Sequence, residues 1–337
     1  MDFYNILTKW YLQHHRELPW RATRDPYAIW LSEIILQQTR VAQGQPYFES
    51  FLKAFPDVIC LADADEQTVL RLWQGLGYYS RARNLHATAK HVAYHLNGTF
   101  PDSYRKLLEL KGVGTYTAAA IASFAYGERV PVVDGNVFRV LSRYFGIHTD
   151  IGSGAAKAEF TALALAVMGD DPALFNQSIM EFGALQCTPK NPNCERCPLQ
   201  SSCYALQHRM VDRLPVKLKK TKVRTRFLNY IIYRDPNNQT MIRQRTGNDI
   251  WKNLYEFPLI ETETELSEVT PQLLEEPQTS FGREPHRVVH KLSHQVLHIS
   301  FWQIPVDQLP EHAVSVDKLH EYPFPIALHN FIERHLR

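Results

Sequence analysis

No run of about 18 or more uncharged apolar residues occurs in the chain, so nothing in it reads as a membrane span. The opening MDFYNILTKWYLQHH lacks the basic-then-apolar layout of a secretory signal. Cysteine is scarce, five in 337 residues, which argues against a disulfide framework. Surplus charge of either sign is wanting too: a formal net charge of +2 neither demands nor excludes a polyanionic partner. Internal repeats are absent, and the one glycine pair of note lacks the spacing and lysine of a mononucleotide loop. What is left is a chain, 45% hydrophobic, able to bury a sizeable core, with two or three domains and a cytoplasmic location as the default expectation.

Residues 1 to about 208 read as mostly helical, with short amphipathic runs and little strand patterning. DPYAIWLSEIILQQTRV opens with Asp25-Pro26, a capping residue followed by the proline suited to a first turn, and PDSYRKLLEL and DPALFNQSIMEFGALQ look similar. In RMVDRLPVKLKKTKVRTR, Arg209, Arg213, Lys217, Lys219, Lys220, Lys222, Arg224 and Arg226 face a single acid, Asp212. This is a linker by composition, either a solvated connector or an arm that follows phosphates. Beyond it come strand-like runs, RFLNYIIYR, TMIRQR and VLHISFWQIP, and an acidic insert, ETETELSEVT. Residues 225 to 337 therefore read as a separate α+β domain.

The stretch ELKGVGTYTAAAIASFAYG sets Gly112 and Gly114 on either side of Val113, ahead of a run of small helix formers. Glycine lets consecutive backbone N–H groups converge, and the following helix adds its positive N-terminus, which makes a site for one phosphate. The same residues serve equally well as a tight turn between helices. Cys187, Cys194, Cys197 and Cys203 lie in CTPKNPNCERCPLQSSC with six, two and five residues between them. Zinc sites ordinarily pair two CxxC units across a longer loop, whereas this uneven spacing favours a [4Fe–4S] cluster wrapped by one loop. Cys60 is left over, and a buried thiol is expected there.

Two carboxyls attract attention on physical grounds. Glu33 lies in AIWLSEIILQQ among Ile29, Trp30, Ile34 and Leu36. A helix apolar nearly all round is buried, which would desolvate this carboxyl, raise its pKa and leave a general acid near neutrality. On an exposed stripe it would be an ordinary surface glutamate. Asp134 precedes Gly135-Asn136 and VFRVLSRYF. It is either a plain N-cap or a carboxylate kept ionised by a helix N-terminus and suited to stabilising a cation. One protonated and one charged carboxyl is the division of labour in glycoside cleavage.

A helix-hairpin-helix, then VDGNV, then C-x6-C-x2-C-x5-C resembles the endonuclease III superfamily of base-excision DNA glycosylases. Within it LPWR, SEIILQQT, GLGYYSRARN, VVDGNVFRV and FNQSIMEFGA are similar to the adenine DNA glycosylase (MutY) family, densely over residues 1 to 208 and more loosely beyond. The resemblance implies a mainly α helix-hairpin-helix glycosylase with a [4Fe–4S] loop, followed by an α+β Nudix-like C-terminal domain. It implies a six-helix module at about 22–128, a cluster module of 1–21 plus 129–208, a basic linker at 209–224 and a lesion-recognition domain at 225–337. The partner implied is double-stranded DNA carrying 8-oxoguanine:adenine or guanine:adenine mispairs, met by a monomer in the bacterial cytoplasm at the nucleoid.

The same resemblance assigns roles. Adenine is flipped into a pocket, Glu33 protonates it at N7 and helps activate water, and Asp134 stabilises the oxocarbenium-like sugar, by its charge or by transient covalent attachment. Arg16, Trp20, Arg21 and Glu181 match positions lining the adenine pocket, although Arg16 reads equally as an ordinary ion-pair residue. Gln38, Thr39 and Tyr78 match residues that enter the helix beside the orphan base. Gly112, Val113 and Gly114 form the phosphate-binding hairpin, and the four cysteines hold the cluster, whose loop presents Lys190 and Arg196 to phosphates. Tyr116 stands where strand-cleaving relatives carry a lysine, and a tyrosine cannot form a Schiff base, which implies a monofunctional enzyme. Ser293 and His294 fall where the family has a Phe-Ser-His loop, with Leu292 in the aromatic place. DIWKNLYEFP resembles a Nudix domain, but LIETETELSEV follows where the metal-binding box should be, which implies a reader instead of a pyrophosphatase. The rivals are a bifunctional endonuclease III-like glycosylase/lyase and a non-catalytic, cluster-bearing DNA-binding protein.

Overall fold

The computed structural model describes residues 3–218, 223–270 and 284–336. In chain order the helices are α1 (Phe3–His14), α2 (Pro26–Leu36), α3 (Val41–Ala54), α4 (Val58–Asp63), α5 (Glu66–Leu72), α6 (Ser80–His95) and α7 (Tyr104–Leu107). There follow α8 (Thr115–Tyr126), α9 (Gly135–Phe145), α10 (Gly154–Val167), α11 (Pro172–Leu185), α12 (Tyr204–Gln207) and, after the strands, α13 (Ile326–His335). The strands are β1 (Arg224–Arg234), β2 (Gln239–Thr240), β3 (Arg243–Gln244), β4 (Tyr255–Glu256), β5 (Leu259–Thr262), β6 (His286–Lys291), β7 (Gln295–Pro305) and β8 (Val314–Ser315). Two compact units emerge, one from Met1–Asp63 with Ala87–Lys219, the other from Ala64–His86 with Lys220–Arg337. Among the described residues no helix is long and apolar enough to cross a membrane.

The first unit is helical. Its α2 begins as the Asp25-Pro26 pair dictates: the Asp25 carboxylate accepts from Tyr27 N at 3.0 Å and Ala28 N at 3.3 Å, with Pro26 in the first turn. The Asp171-Pro172 pair starts α11 likewise, through Leu174 N at 2.9 Å. PDSYRKLLEL departs from that pattern. Its proline precedes the aspartate, so α7 is a four-residue helix with no side-chain cap, and Asp102 pairs with Lys106 at 3.1 Å.

All nine residues from Tyr27 to Ile35 on α2 are buried, and the helix packs against α3 and α8. A second core gathers Leu7 of α1, Val137 and Leu141 of α9, Phe160 of α10, and Phe175 and Ile179 of α11, every one fully buried. Backbone approaches backbone where α11 meets α9: a Cβ on Gly183 would lie 2.6 Å from Asn136 Cβ and 3.1 Å from its carbonyl oxygen. On α4, Val58, Leu61 and Ala62 face inward, which turns Cys60 out to solvent. The buried thiol expected there is thereby corrected: a one-turn amphipathic helix has no second face to bury.

The second unit contains a four-stranded sheet in the order β5-β1-β7-β6, with β1 parallel to β7 and the other pairs antiparallel. Phe331 of α13 stacks on Phe301 of β7 at 4.0 Å between ring centroids. TMIRQR is divided between the two-residue strands β2 and β3. Of the basic linker, Lys219, Lys220 and Lys222 lie outside the described residues. Arg226 does not belong to an exposed arm at all. It is buried on β1, where its guanidinium binds Glu261 at 2.7 and 2.6 Å and Asp249 at 3.0 and 2.8 Å.

The close approach at Gly183 yields a stability prediction. Gly183→Ala forces a methyl against the Asn136 main chain, and overpacking of this kind is expected to cost about 1–3 kcal/mol, read from the denaturation midpoint.

Candidate active site

Both candidate catalytic carboxyls of the first unit converge on one cavity of about 570 Å³. It is lined by Glu33, Asp134, Tyr116, Arg16, Trp20, Arg21, Thr39 and Glu181, which include both catalytic candidates and all four residues matched to the adenine pocket. Glu33 reaches it from the buried wall of α2 and is 7% exposed. Burial raises its carboxyl to about 7, against the opposing effects of a Tyr116 hydroxyl hydrogen bond and the nearby Arg21; Asp134 adds to the rise. A proton therefore sits on this group near neutrality, as the apolar surroundings of α2 demand.

Asp134 is the N-cap of α9. Its Oδ1 accepts from Asn136 N and Val137 N, both at 2.8 Å, and its Oδ2 accepts from Asn136 Nδ2 at 2.8 Å. The helix N-terminus favours the ionised form, but burial acts against it. Burial raises the Asp134 carboxyl above its ordinary value, and the Val137 and Asn136 donors and Arg139 only limit the rise.

Glu181, 1% exposed on α11, behaves oppositely. Burial would raise it, but two guanidiniums outweigh burial and bring it down to about 2. Arg16 grips it through Nε at 2.8 Å, Nη2 at 2.7 Å and the backbone N at 3.0 Å, and Arg21 adds Nη2 at 2.8 Å. Arg16 is thus both the ion-pair partner and a wall of the cavity.

An adjoining cavity of about 600 Å³ is lined by Glu33, Gln38, Gly112, Gly114, Thr115, Tyr116, Asp134 and Gly135. It brings the glycine hairpin and the two candidate carboxyls together at the N-termini of α8 and α9. Gly112 takes φ of 76°, which favours glycine. Val113 is buried at 5% and anchors the turn. Gly114 caps α8 without a side chain, so its first-turn N–H donors have no side-chain acceptor. Lys157 of α10 places its ammonium 2.7 Å from Thr115 Oγ1 at that same end.

Tyr78, Ser293 and His294 are absent from these cavities. They line a third one, of about 450 Å³ and wholly within the second unit, with Trp251, His290 and Leu292. Ser293 Oγ lies 3.2 Å from His294 Nδ1 in the turn between β6 and β7.

Sequence reasoning missed Asn136, Gln177 and Lys157. Gln177 accepts from the Tyr11 hydroxyl at 2.6 Å and lines the first cavity. Its position four before Glu181 puts it on the same helical face, which is a legible clue. Lys157 is 42 residues from Thr115, and no local pattern announces it.

The cysteine loop leaves α11 at Cys187 and ends at Cys203, which precedes α12. All its thiols are free, as is Cys60. Burial, and then the other three cysteines, push the Cys197 thiol up to about 12, with Leu199 N–H opposing. The four sulfurs therefore share one neighbourhood and need a positive centre to become thiolates. Among the described residues no three His, Cys, Asp or Glu side chains close on a single ion. Arg143 supports the first ligand: Nη1 donates to Cys187 Sγ at 3.4 Å and to Thr188 O at 2.8 Å. Arg139 binds Cys187 O at 2.7 Å, Gly183 O at 2.6 Å and Asn136 Oδ1 at 2.9 Å. Lys190 and Arg196 are exposed on the loop.

Residues 31–164 match the HhH-GPD superfamily base excision DNA repair protein family. Residues 187–203 match the iron-sulfur binding domain of endonuclease III, and residues 229–334 match the NUDIX domain. An adenine DNA glycosylase of Buchnera aphidicola subsp. Schizaphis graminum is 35% identical over 302 residues, 88% of this chain and 86% of the relative. The human adenine DNA glycosylase is 43% identical over 217 residues, 61% of this chain and 39% of its own. A thermostable thymine-DNA glycosylase structure, 28% identical, aligns with a TM-score of 0.56 over 61% of this chain and 95% of its own.

The buried acid predicts a pH effect on stability. With Glu33 at about 7 when folded and near 4.5 when unfolded, the folded chain binds more protons between those values, so its stability falls as pH rises through them. Glu33→Gln removes that contribution. Denaturation at pH 8 is expected to show the variant more stable than the parent by ~3 kcal/mol, with no such advantage at pH 4.

Proposed function

From the premise that this chain belongs to the adenine DNA glycosylase family, we propose that it excises adenine opposite 8-oxoguanine or guanine, as a monofunctional enzyme and a monomer. The chain carries a [4Fe–4S] cluster at Cys187, Cys194, Cys197 and Cys203 and binds DNA in base excision repair. The cluster supplies a rigid support for its loop, and the bond-breaking groups are protein carboxyls. The observation that carries the reading is one cavity holding a buried carboxyl near pKa 7 and a capped carboxylate on a neighbouring helix N-terminus.

In the proposed reaction a flipped adenine enters between Arg16, Trp20, Arg21 and Glu181. The Glu33 proton moves to N7, and the glycosidic bond breaks with its electron pair going to the base. Positive charge develops on the sugar opposite Asp134, water adds at C1′, and the water's proton returns to Glu33. The fixed Glu181 ion triad offers a polar wall that needs no rearrangement when substrate arrives. Tyr116 occupies the site of a lyase amine and instead donates to Glu33, which supports base removal without strand cleavage. Gly112, Val113 and Gly114, with the Lys157 ammonium beside them, take a backbone phosphate. Gln38 and Thr39, and likewise Tyr78, are read as residues that enter the helix beside the orphan base. The domain at 225–337, with Ser293 and His294, reads the lesion.

The test is a duplex bearing 8-oxoguanine opposite adenine, with base loss and strand breaks scored separately. Base loss without breaks is expected; breaks trapped as a covalent amine adduct would establish the lyase alternative. Glu33→Gln is expected to bind the mispaired duplex and release almost no adenine in a single turnover, and Asp134→Asn to be severely impaired. Near-normal rates in either variant would refute the assigned roles.

Ser293 can accept from N7–H of 8-oxoguanine and His294 sits beside it, so these two should set preference more than rate. Ser293→Ala is expected to reduce the 8-oxoguanine-over-guanine ratio about fivefold, the worth of a neutral hydrogen bond, with guanine:adenine excision unchanged.

A further inference from the structure

The loop that carries Tyr78 is held by a set of contacts that the chemistry above does not use. Trp73 is fully buried, and its Nε1–H donates to Gly77 O at 3.0 Å. The Arg81 guanidinium, 9% exposed, lies 5.0 Å from the centre of the Trp73 ring and 5.7 Å from that of Tyr78. Its Nη2 reaches Leu76 O at 3.4 Å and Gly77 O at 3.3 Å, and its backbone N–H donates to Tyr78 O at 2.8 Å. Between these anchors the backbone runs through three left-handed residues: Gly75 at φ 98°, Gly77 at 73° and Tyr78 at 49°. Glycine adopts that region freely, but a tyrosine does so only when its surroundings hold it there. The outcome is a division between neighbours: Tyr79 is buried at 4%, while Tyr78 stands 45% exposed at the rim of the cavity that Ser293 and His294 line.

We propose that Arg81 is the positioning residue for the wedge, holding Tyr78 in its left-handed, outward pose through the carbonyls of residues 76 and 77 and the stacked Trp73. The proposal rests on the reading of Tyr78 as a residue that enters the stack. Only a planar guanidinium can grip two carbonyls while lying against aromatic faces; a lysine ammonium is a point charge and cannot do both. A wedge offsets part of the cost of unstacking only if it is already oriented, since ordering it during binding would cancel the gain.

The test is a double-mutant cycle on single-turnover excision from duplex with 8-oxoguanine opposite adenine. Arg81→Met and Tyr78→Ala should each slow excision about tenfold, and the double variant should fall within about twofold of Tyr78→Ala alone, because contacting residues acting as one unit are not additive. Fluorescence of 2-aminopurine placed at the adenine should drop alike in both single variants, reporting lost flipping. Trp73→Phe, which keeps an aromatic face but removes the indole N–H together with part of the ring, should show a loss that likewise vanishes in the Tyr78→Ala background. If Arg81→Met is not recovered folded, the Trp73→Phe cycle decides. Losses that multiply, for either cycle, would make these residues mere scaffolding and overturn the proposal alone. A silent Tyr78→Ala would overturn the wedge reading and the proposal together.

Discussion

The first turn of α9 is the constraint on which the catalytic unit depends. A helix N-terminus presents backbone donors that must find acceptors, and here Asp134 meets two of them with one oxygen while its other oxygen is held by the Asn136 amide. Asn136 is fixed in turn by Arg139, which also binds Gly183 O and Cys187 O. One turn further along, Arg143 binds the Cys187 sulfur and Pro189 O, while its own carbonyl faces the Cys203 sulfur at 3.5 Å. A single eleven-residue helix therefore aims a carboxylate into the cavity, seats the end of α11 and supports both ends of the cysteine loop. The cluster loop and Asp134 share their supports, although no cysteine lines the cavity.

Three carboxyls then face one cavity in three electrostatic states. Burial acts on all of them in the same direction, so the differences come from their partners. Glu33 has a tyrosine hydroxyl, a neutral donor too weak to offset desolvation. Asp134 has the donors of its helix cap, which limit the rise without cancelling it. Glu181 has two guanidiniums within hydrogen-bond distance, and charged donors reverse the sign. A carboxyl raised to about 7, one raised less far by its cap and one held down to about 2 thus arise from the same functional group through what each one touches. Because Glu181 is fully engaged by Arg16 and Arg21, it does not compete for the Glu33 proton.

The sequence made legible whatever depends on near neighbours. Asp25-Pro26 and Asp171-Pro172 start helices because capping is a local event. The cysteine spacing revealed the cluster loop, since one loop supplies every ligand. Burial of Glu33 followed from the apolar run that surrounds it. What depends on distant partners was not legible. The sign at Asp134 required knowing how deeply the cavity is enclosed, Arg226 read as linker until Asp249 and Glu261 were seen around it, and Lys157 gave no hint of Thr115. Arg81 stood in plain view within GLGYYSRARN, but its engagement with Trp73 and two carbonyls is a property of the folded loop.

The second unit shows the same physics turned to a different end. Its residues match the NUDIX domain, yet the paired glutamates and glycines of a metal-binding box are missing from the sequence after β4. Three carboxylates in and around β4 and β5 are engaged instead by arginines. Glu256, 3% exposed, is bound by Arg243 at 3.4 Å, by Arg245 and by the Tyr230 hydroxyl at 3.2 Å. Glu261 and Asp249 share the Arg226 guanidinium, and Asp249 takes Arg245 as well. Recruiting any of these carboxylates to a divalent cation would leave an arginine buried without its partner, a cost of several kcal/mol per charge. The network instead fixes β1 against β5 and holds Asp249 near Trp251, which lines the cavity with Ser293 and His294. Three carboxylates of this unit, Glu256, Glu261 and Asp249, are thus neutralised internally by Arg226, Arg243 and Arg245, and Asp249 meets the cavity that Ser293 and His294 line already held by its arginines.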